Sequence, residues 1–326
     1  MRNAPPAVLD VQHLSISCFS RVTGYKRDVV RDVGFSVASG AITGIVGESG
    51  SGKTLTAQAV AGLLPGGTAQ TGGSIRFAGA DMGRFSRKTW RSIRGNELTM
   101  VFQEHRAALN PLIPVIRQIA EPLALHGVDR KTREKRAREV MAQVGLPPEI
   151  ERAYPHEISG GMCQRVMIAQ AAVSRPKLLI ADEPTTALDL STQGRILRLL
   201  KTIHRETGAA ILCISHDVEV IRSLCRRVLV MYAGKLVETG SVEAVLSGPR
   251  HPYTKGLLES LPHKALKGAL LPVIPGRAPD LSDEKTEETP CPFAPRCAAA
   301  QAPCLSEPPL PTRVGEDHQV SCHACT

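Results

Sequence analysis

Residues 41–64, AITGIVGESGSGKTLTAQAVAGLL, constrain the fold more than any other stretch of the chain. Ala41 to Val46 are apolar enough to form a buried strand, and a helical pattern follows Thr54. Between them, Gly47–Thr54 matches the pattern G-x-x-x-x-G-K-[ST]. A strand, a glycine-rich loop and a helix in this order predict an α/β fold with a loop that binds phosphate.

The chemistry of this segment, the phosphate loop (Gly47–Thr54), depends on small residues and one fixed charge. Small residues let successive backbone N–H groups converge on phosphate oxygens, and the helix N-terminus adds its positive dipole end. Lys53 is expected at the β- and γ-phosphates, and the Thr54 hydroxyl is a candidate Mg²⁺ ligand. The predicted ATP-binding residues of the loop are Gly47, Ser49, Gly50, Ser51, Gly52, Lys53 and Thr54.

Two later segments carry further candidate groups. In KLLIADEPTTALD, Asp182 ends a short apolar strand, where a Mg²⁺-bound phosphate would lie in a parallel sheet. Glu183 beside it is placed to polarise a water for attack on the γ-phosphate. Ser159, Gly160 and Gly161 open a helix and predict a second anion site. One chain with two phosphate sites raises the question of how both are used.

Taken together, these motifs resemble the ATP-binding subunits of ABC transporters. ISGGMCQR resembles that family's signature, with Met162 in place of the usual glutamine. The resemblance implies that two such domains pack head to tail, so that Ser159, Gly160 and Gly161 of one chain cap the γ-phosphate held by the other. It also implies a P-loop nucleotide-binding domain with a helical subdomain at about 86–174.

The resemblance assigns roles to three residues for which the side-chain type alone predicts none. Gln103 resembles the glutamine that contacts Mg²⁺ and reports to the membrane subunits, Asp189 lies in the D-loop, and His216 resembles the switch histidine at the γ-phosphate. The family stacks adenine on an aromatic residue of the first hairpin. Phe19 is the favoured candidate here, and Tyr25 is the alternative.

Two phrases narrow the resemblance to the oligopeptide, dipeptide and nickel importers. They are ALNPLIPVIRQIAEPL, after Gln103, and GPRHPYTKGLLESLP, which follows the predicted sheet and has no evident structural reason. The ATPase domain is expected to span 1–263. Residues 264–326 are expected to form a C-terminal extension, in which a Pro-, Gly- and acid-rich loop or linker at 264–290 is followed by a separate small cysteine-rich module. No group of the predicted phosphate site lies beyond His216, so changing Cys297 to serine, which is expected to loosen residues 291–326, is expected to leave that site largely intact.

Five of the nine cysteines lie in the last thirty-six residues, in the order C-x5-C-x6-C-x17-C-x2-C. In a reducing compartment such clustering favours a metal over disulfides. The resemblance implies a [4Fe–4S] cluster on Cys291, Cys297, Cys304 and Cys322, since such a cluster takes four thiolates. Structural Zn²⁺ on a Cys322–Cys325 knuckle and a tail without metal remain open. If the cluster uses those four cysteines, Cys325 or His323 is left over as a group that does not bind it.

Composition limits the partners. The formal net charge of +9 suits an anionic surface, yet basic residues concentrate only at DRKTREKRARE, interpreted as a solvated helix face. Aromatic residues make up 3% of the chain, too few for base-stacking platforms, so nucleic acid is not a predicted partner. No apolar run is long enough to span a bilayer, and MRNAPPAVLDVQ lacks an apolar signal core.

The resemblance therefore implies a peripheral ATPase at the cytoplasmic face of the inner membrane. Its partners would be two hydrophobic permeases, a second ATPase subunit (identical or different) and, indirectly, a solute-binding protein. The transported solute would be a peptide or nickel. The alternatives are a soluble ABC ATPase acting on nucleic acid or ribosomes, and an ATP-dependent regulator without transport.

Overall fold

The computed structural model describes residues 6–19, 24–186, 188–261, 272–279 and 289–325. The chain divides into two compact units that alternate along the sequence. Unit 1 comprises Met1–Asp10, Ser36–Ile42 and Arg76–Ile214. Unit 2 comprises Val11–Phe35, Thr43–Ile75 and Ser215–Thr326. The predicted boundary between 263 and 264 falls outside the described residues and stays a prediction.

Strands and helices alternate from Leu178 to Tyr232, the pattern of a parallel α/β sheet. The strands are β1 Ala7–Phe19, β2 Lys26–Ala38, β3 Ile42–Val46, β4 Thr68–Phe77, β5 Ala80–Asp81, β6 Leu98–Val101, β7 Leu178–Asp182, β8 Ala210–Ser215, β9 Arg227–Tyr232, β10 Lys235–Ser241, β11 Pro311–Gly315 and β12 His318–Ser321. The helices are α1 Lys53–Ala61, α2 Arg87–Ile93, α3 His105–Ala108, α4 Val115–Leu125, α5 Arg130–Gln143, α6 Gly160–Ala172, α7 Leu190–Thr207, α8 Val218–Leu224, α9 Val242–Ser247, α10 Pro252–Glu259 and α11 Pro303–Ser306.

Unit 1 is built on the parallel strands β6, β7 and β8, which lie side by side in that order. Every residue of β7 and β8 is buried, which explains their continuous apolar sequences. Helices α4, α5 and α6 pack against one another, and α6 also contacts β6. The stretch 86–174 is mostly helical, as predicted, but it also contains β6. A four-residue apolar strand cannot be distinguished from a helix segment by its periodicity.

Unit 2 contains the strand order β11–β12–β10–β9–β3. β3 pairs with β9 in parallel, whereas β10 runs antiparallel to both β9 and β12. The tail is therefore not the separate small module that the sequence predicts, because its β11–β12 hairpin continues this sheet. The carboxylate of the buried Glu238 on β10 accepts hydrogen bonds from the Arg250 and His251 amides, and lies 2.6 Å from His318 Nε2 on β12.

Basic α5 agrees with its interpretation as a solvated helix face, since its buried residues are Ala137, Val140 and Met141. Among the described residues, no helix combines the length and the apolar character needed to cross a membrane.

Candidate functional site

The phosphate loop lies between buried β3 and α1, as predicted. A Cβ at Gly47 would lie 2.0 Å from the Met231 carbonyl oxygen, so no larger residue fits there. Gly50 and Gly52 have φ angles of 79° and 99°, in the left-handed region that glycine adopts at little cost. Gly52 caps the N-terminus of α1, so that the helix begins at Lys53.

Lys53 is folded onto the phosphate loop. Its ammonium donates to the carbonyl oxygens of Gly47 and Glu48, each at 2.8 Å, and to Ser51 Oγ at 3.3 Å. The side chain is buried, and these acceptors offset the cost of removing its charge from water. Ser51 is also buried, whereas Thr54 is half-buried and Ser49 is exposed. A phosphate at this loop would offer Lys53 a full negative charge in place of neutral oxygens.

The HPYT phrase has a structural reason that sequence reasoning missed. His251 caps α10, its Nδ1 accepting from the Tyr253 amide at 3.0 Å, and Pro252 occupies the first turn. This cap directs Tyr253 inward, where the Tyr253 hydroxyl accepts a hydrogen bond from the Glu48 amide at 2.8 Å. Burial raises the pKa of Tyr253, so the hydroxyl stays protonated. The unusual HPYT phrase was itself a sequence signal, but it did not indicate that Tyr253 would contact Glu48.

The cysteine-rich tail also reaches the phosphate loop. Arg296, directly before Cys297, donates from Nη1 to Glu48 Oε2 at 2.9 Å and to the Tyr232 hydroxyl at 3.2 Å. Phe293, from the same turn of chain, packs edge-on against Tyr232 and Tyr253 with ring centroids 5.2 and 5.5 Å apart. The sequence analysis predicts no group of the phosphate site beyond His216, and it gave no sign of this contact between Arg296 and Glu48 of the phosphate loop.

Asp182 and Glu183 lie at the carboxyl end of β7 in unit 1. Asp182 is 2% exposed and Glu183 is 8% exposed. Glu183 has a φ of 49°, its amide donates to the Ile214 carbonyl at 2.9 Å, and its carboxylate accepts from the Thr186 hydroxyl at 2.9 Å. A left-handed backbone at a glutamate is uncommon, and such conformations cluster at functional sites.

Gln103 follows β6 at the same edge of the unit 1 sheet. The register pairs Val101 of β6 with Ala181 of β7, so Gln103 leaves its strand close to the level of Asp182 and Glu183. Gln103 is exposed, as is His216, which follows directly after β8. Asp217 beside it caps α8, accepting from the Glu219 amide at 2.8 Å. Both predicted sensors thus follow the ends of buried strands.

Ser159 begins α6, its Oγ accepting from the Met162 amide at 3.3 Å. Ser159 is exposed, and Gly160 and Gly161 are half-buried. A Cβ at Gly160 would lie 3.6 Å from His105 Nε2 and 3.7 Å from Arg106. The exposed start of a thirteen-residue helix, with basic side chains nearby, has the electrostatics of an anion site.

Asp189, the predicted D-loop residue, caps α7. It accepts from the Ser191 hydroxyl at 2.6 Å, the Thr192 hydroxyl at 2.7 Å and the Thr192 amide at 3.0 Å. The hydrogen bonds from Ser191 and Thr192 hold the pKa of Asp189 far below its usual range. This carboxylate is therefore ionised at neutral pH.

Sequence reasoning missed the role of Gln164. This residue of the signature helix is 2% exposed, and its Nε2 donates to the carbonyl of Pro184, directly after Glu183. Within unit 1, α6 and the segment that carries Glu183 are therefore joined by a buried hydrogen bond. The pattern QR at this position was noted, but a buried glutamine has no sequence signal of its own.

The adenine candidates remain predictions. Phe19 ends β1 and is 42% exposed, and its amide donates to the Gly67 carbonyl at 2.7 Å. Tyr25, just before β2, is half-buried. An exposed ring at a strand end is available for stacking, so the geometry is compatible with the choice of Phe19.

Comparisons with known proteins decide the family. Residues 30–186 match the family described as ABC transporter, and residues 237–304 match the C-terminal region of the oligopeptide/dipeptide transporters. The dipeptide transport ATP-binding protein DppD of Bacillus subtilis is 43% identical, over 97% of this chain and 94% of its own length. The chain is an ABC transporter ATP-binding protein. DppD of Escherichia coli is 39% identical, over 97% of this ABC protein and 96% of its own length.

Solved structures confirm the cassette fold of this ABC protein. The dimeric ATP-binding cassette MJ0796, in a post-hydrolysis state with ADP and Pi, superposes with a TM-score of 0.65 at 25% identity, covering 72% of this chain and 98% of that one. CbiO1 from Clostridium perfringens, part of the ABC transporter complex cbiONQ, gives a TM-score of 0.63 over 74% of this chain and 91% of its own. The predicted α/β ATPase cassette and ATPase activity are thus confirmed.

The tail cysteines of this ABC protein are free thiols. Cys291, Cys304 and Cys322 are buried, and Cys297 is half-buried. Burial raises the pKa values of Cys291, Cys297 and Cys322, the last to about 11, and Cys304 contributes to each rise by its charge. In the part of the chain that the structure describes, however, no three His, Cys, Asp or Glu side chains are arranged to hold one metal ion.

Proposed function

We propose that this chain is the ATP-hydrolysing subunit that energises import of peptides through an ABC transporter. The match to the oligopeptide/dipeptide C-terminal region over residues 237–304 carries this proposal. It includes HPYT and part of the tail, which in this chain contact the phosphate loop. Relatives of nearly full length support it, because they are named for dipeptide or peptide transport. Nickel stays the alternative solute.

In this proposal the phosphate loop binds ATP and Mg²⁺ supplies charge neutralisation at the β- and γ-phosphates. Lys53 releases its loop carbonyls and pairs with phosphate oxygens, a stronger, charge-assisted contact. Thr54, Gln103 and Asp182 offer oxygen ligands of the kind Mg²⁺ prefers. Phe19 stacks on adenine.

Glu183 acts as the general base, orienting and polarising the attacking water. Its fixed backbone and the hydrogen bond from Thr186 support this role, because they hold the carboxylate in one orientation. His216 contacts the γ-phosphate. Asp189 supplies the carboxylate of the D-loop, which is ionised at neutral pH.

Hydrolysis on this scheme requires two ATPase subunits. Ser159, Gly160 and Gly161 cap the γ-phosphate bound by the partner, a use supported by their exposure at the start of α6. The dimeric state of the MJ0796 cassette supports the pairing of two ATPase subunits. The segment around Gln103 transmits the cycle to two hydrophobic permeases at the cytoplasmic face of the inner membrane, and a solute-binding protein takes part indirectly.

The tail is proposed to hold a [4Fe–4S] cluster on Cys291, Cys297, Cys304 and Cys322. The donor set fits in number and type, since residues 291–322 supply four thiols and such a cluster takes four thiolate ligands. His323 and Cys325 bond instead to the carbonyls of Glu307 and Arg250.

Co-expression with candidate permeases and a solute-binding protein, followed by reconstitution into proteoliposomes, tests the function. We expect a stable complex whose ATP hydrolysis rises when the binding protein is loaded with di- or oligopeptides. The matched experiment uses the binding protein loaded with Ni²⁺. If only the Ni²⁺-loaded binding protein stimulates ATP hydrolysis, the transported solute is nickel and not a peptide. Association with ribosomes or nucleic acid and none with permeases would support the soluble alternative instead.

A further inference from the structure

Glu48, the second residue of the phosphate loop, is held at three points by groups from elsewhere in unit 2. Its amide donates to the Tyr253 hydroxyl, its carbonyl oxygen accepts from Lys53 Nζ, and its carboxylate accepts from Arg296. Two of these partners lie beyond residue 250. The phosphate loop is thus shaped in part by the C-terminal region.

Arg296 is itself firmly placed. Its side chain is 9% exposed, and its Nε donates to the Pro275 carbonyl oxygen at 2.8 Å. Its Nη1 donates to the Glu48 carboxylate and to the Tyr232 hydroxyl. Its guanidinium carbon lies 5.7 Å from the centroid of the Tyr232 ring. A planar guanidinium with these fixed partners loses little freedom when it binds a carboxylate.

The charge of Glu48 makes this contact relevant to nucleotide binding. A carboxylate in a loop that receives a polyphosphate is a like charge close to the ligand, and like charges disfavour each other most where water is excluded. The Glu48 side chain is only 25% exposed, so solvent screens it incompletely. Arg296 Nη1 lies 2.9 Å from Glu48 Oε2, so the guanidinium neutralises the carboxylate and restricts its rotation.

We propose that Arg296 is a positioning residue of the nucleotide site, through which the C-terminal tail clamps and neutralises Glu48 of the phosphate loop. The ligand class is a nucleoside polyphosphate with its Mg²⁺. Arg296 acts through Glu48, with no contact of its own to the nucleotide. This inference rests on the proposed binding of ATP phosphates by Gly47–Thr54.

Equilibrium binding of a fluorescent ATP analogue to the full-length chain tests the proposal without requiring turnover. We expect Arg296→Ala to raise the Kd for ATP about five- to tenfold, the scale of one ordinary net hydrogen bond, because Arg296 acts only through Glu48. Arg296→Lys keeps the charge and should recover part of the loss. Asp317→Asn is the matched control, because it breaks another ion pair between the tail and the unit 2 sheet, with Arg227.

Glu48→Gln separates neutralisation from a general loss of stability. If an unpaired carboxylate weakens binding, Glu48→Gln combined with Arg296→Ala should bind ATP more tightly than Arg296→Ala alone. Thermal unfolding of every variant without nucleotide shows whether folding is affected. Should Arg296→Ala fail to fold, Arg296→Lys with and without Glu48→Gln gives the same comparison.

Unchanged ATP affinity in Arg296→Ala, or an affinity loss that Glu48→Gln does not relieve, would overturn the proposal. An equal loss in Asp317→Asn would also overturn it, by showing that any weakening of the tail has the same effect. Lys53→Ala tests the premise that the phosphate loop binds the phosphates of ATP. If that variant binds ATP normally, the assignment of the phosphate loop fails, independently of Arg296.

Discussion

The Tyr253 hydroxyl and the Glu48 amide nitrogen lie 2.8 Å apart, although 205 residues separate them in the chain. The hydroxyl accepts the amide proton, so this N–H of the phosphate loop is already bonded before any phosphate arrives. The Ser51 amide is also engaged, since it donates to the Glu48 carbonyl oxygen at 3.2 Å. The HPYT phrase thus contributes a fixed point of the loop.

Replacing Tyr253 with phenylalanine tests this fixed point. The change leaves a buried N–H without an acceptor, so we expect the free energy of unfolding to fall by about 1–3 kcal/mol. ATP affinity should also fall, because the loop loses one of its three anchors at Glu48. Urea denaturation and nucleotide titration measure the two effects. Ser260→Ala, which removes a local hydroxyl bond to Leu257 at the end of α10, is the control.

Replacing Glu183 with glutamine tests the general base. The amide keeps an oxygen acceptor for the Thr186 hydroxyl but cannot take a proton, so ATP binding should persist while hydrolysis slows at least about 100-fold. Phosphate release by the assembled transporter measures the rate. The control is Glu97→Gln, at a surface carboxylate paired with Lys177. Wild-type turnover in Glu183→Gln would disprove the assignment.

Mixing two inactive variants tests whether the signature acts in trans. Lys53→Ala should abolish phosphate binding in its own chain, and Ser159→Arg should block the cap that the chain offers to its partner. If the chain forms homodimers, the mixture restores one intact composite site, and we expect partial activity absent from either variant alone. With a different second subunit, activity should require that subunit. Full activity of a monomer, independent of protein concentration, contradicts the model.

Anaerobic purification tests the tail. We expect a brown protein with about four iron and four sulfide per chain, the content of a [4Fe–4S] cluster. Cys297→Ser should lose iron and, because Arg296 is its neighbour, should also weaken ATP binding. Cys325→Ser should retain the colour, since its thiol donates to the Arg250 carbonyl at 3.1 Å. A colourless protein with one zinc per chain would contradict the cluster.

Local chemistry made the phosphate-loop segment predictable. Glycine positions, the buried strand β3 and the helical pattern from Lys53 all reflect interactions between near neighbours in sequence. β4 was missed because Gly72 and Gly73 interrupt it and polar residues dominate, with only Ile75 and Phe77 buried. The contacts on Glu48 were missed for a different reason. No periodicity relates it to Tyr253 or Arg296, so pairings of this range emerge only from the folded chain.

The same long separation affects how the protein is made. Glu48 leaves the ribosome before Arg296, which lies 248 residues later in the chain. At roughly 5–20 residues per second, the phosphate loop waits about 12 to 50 s for this partner. During that interval the nascent chain holds an acidic loop without its arginine. If Arg296 positions Glu48, a chain that ends before Arg296 is expected to bind nucleotide less tightly than one that includes it.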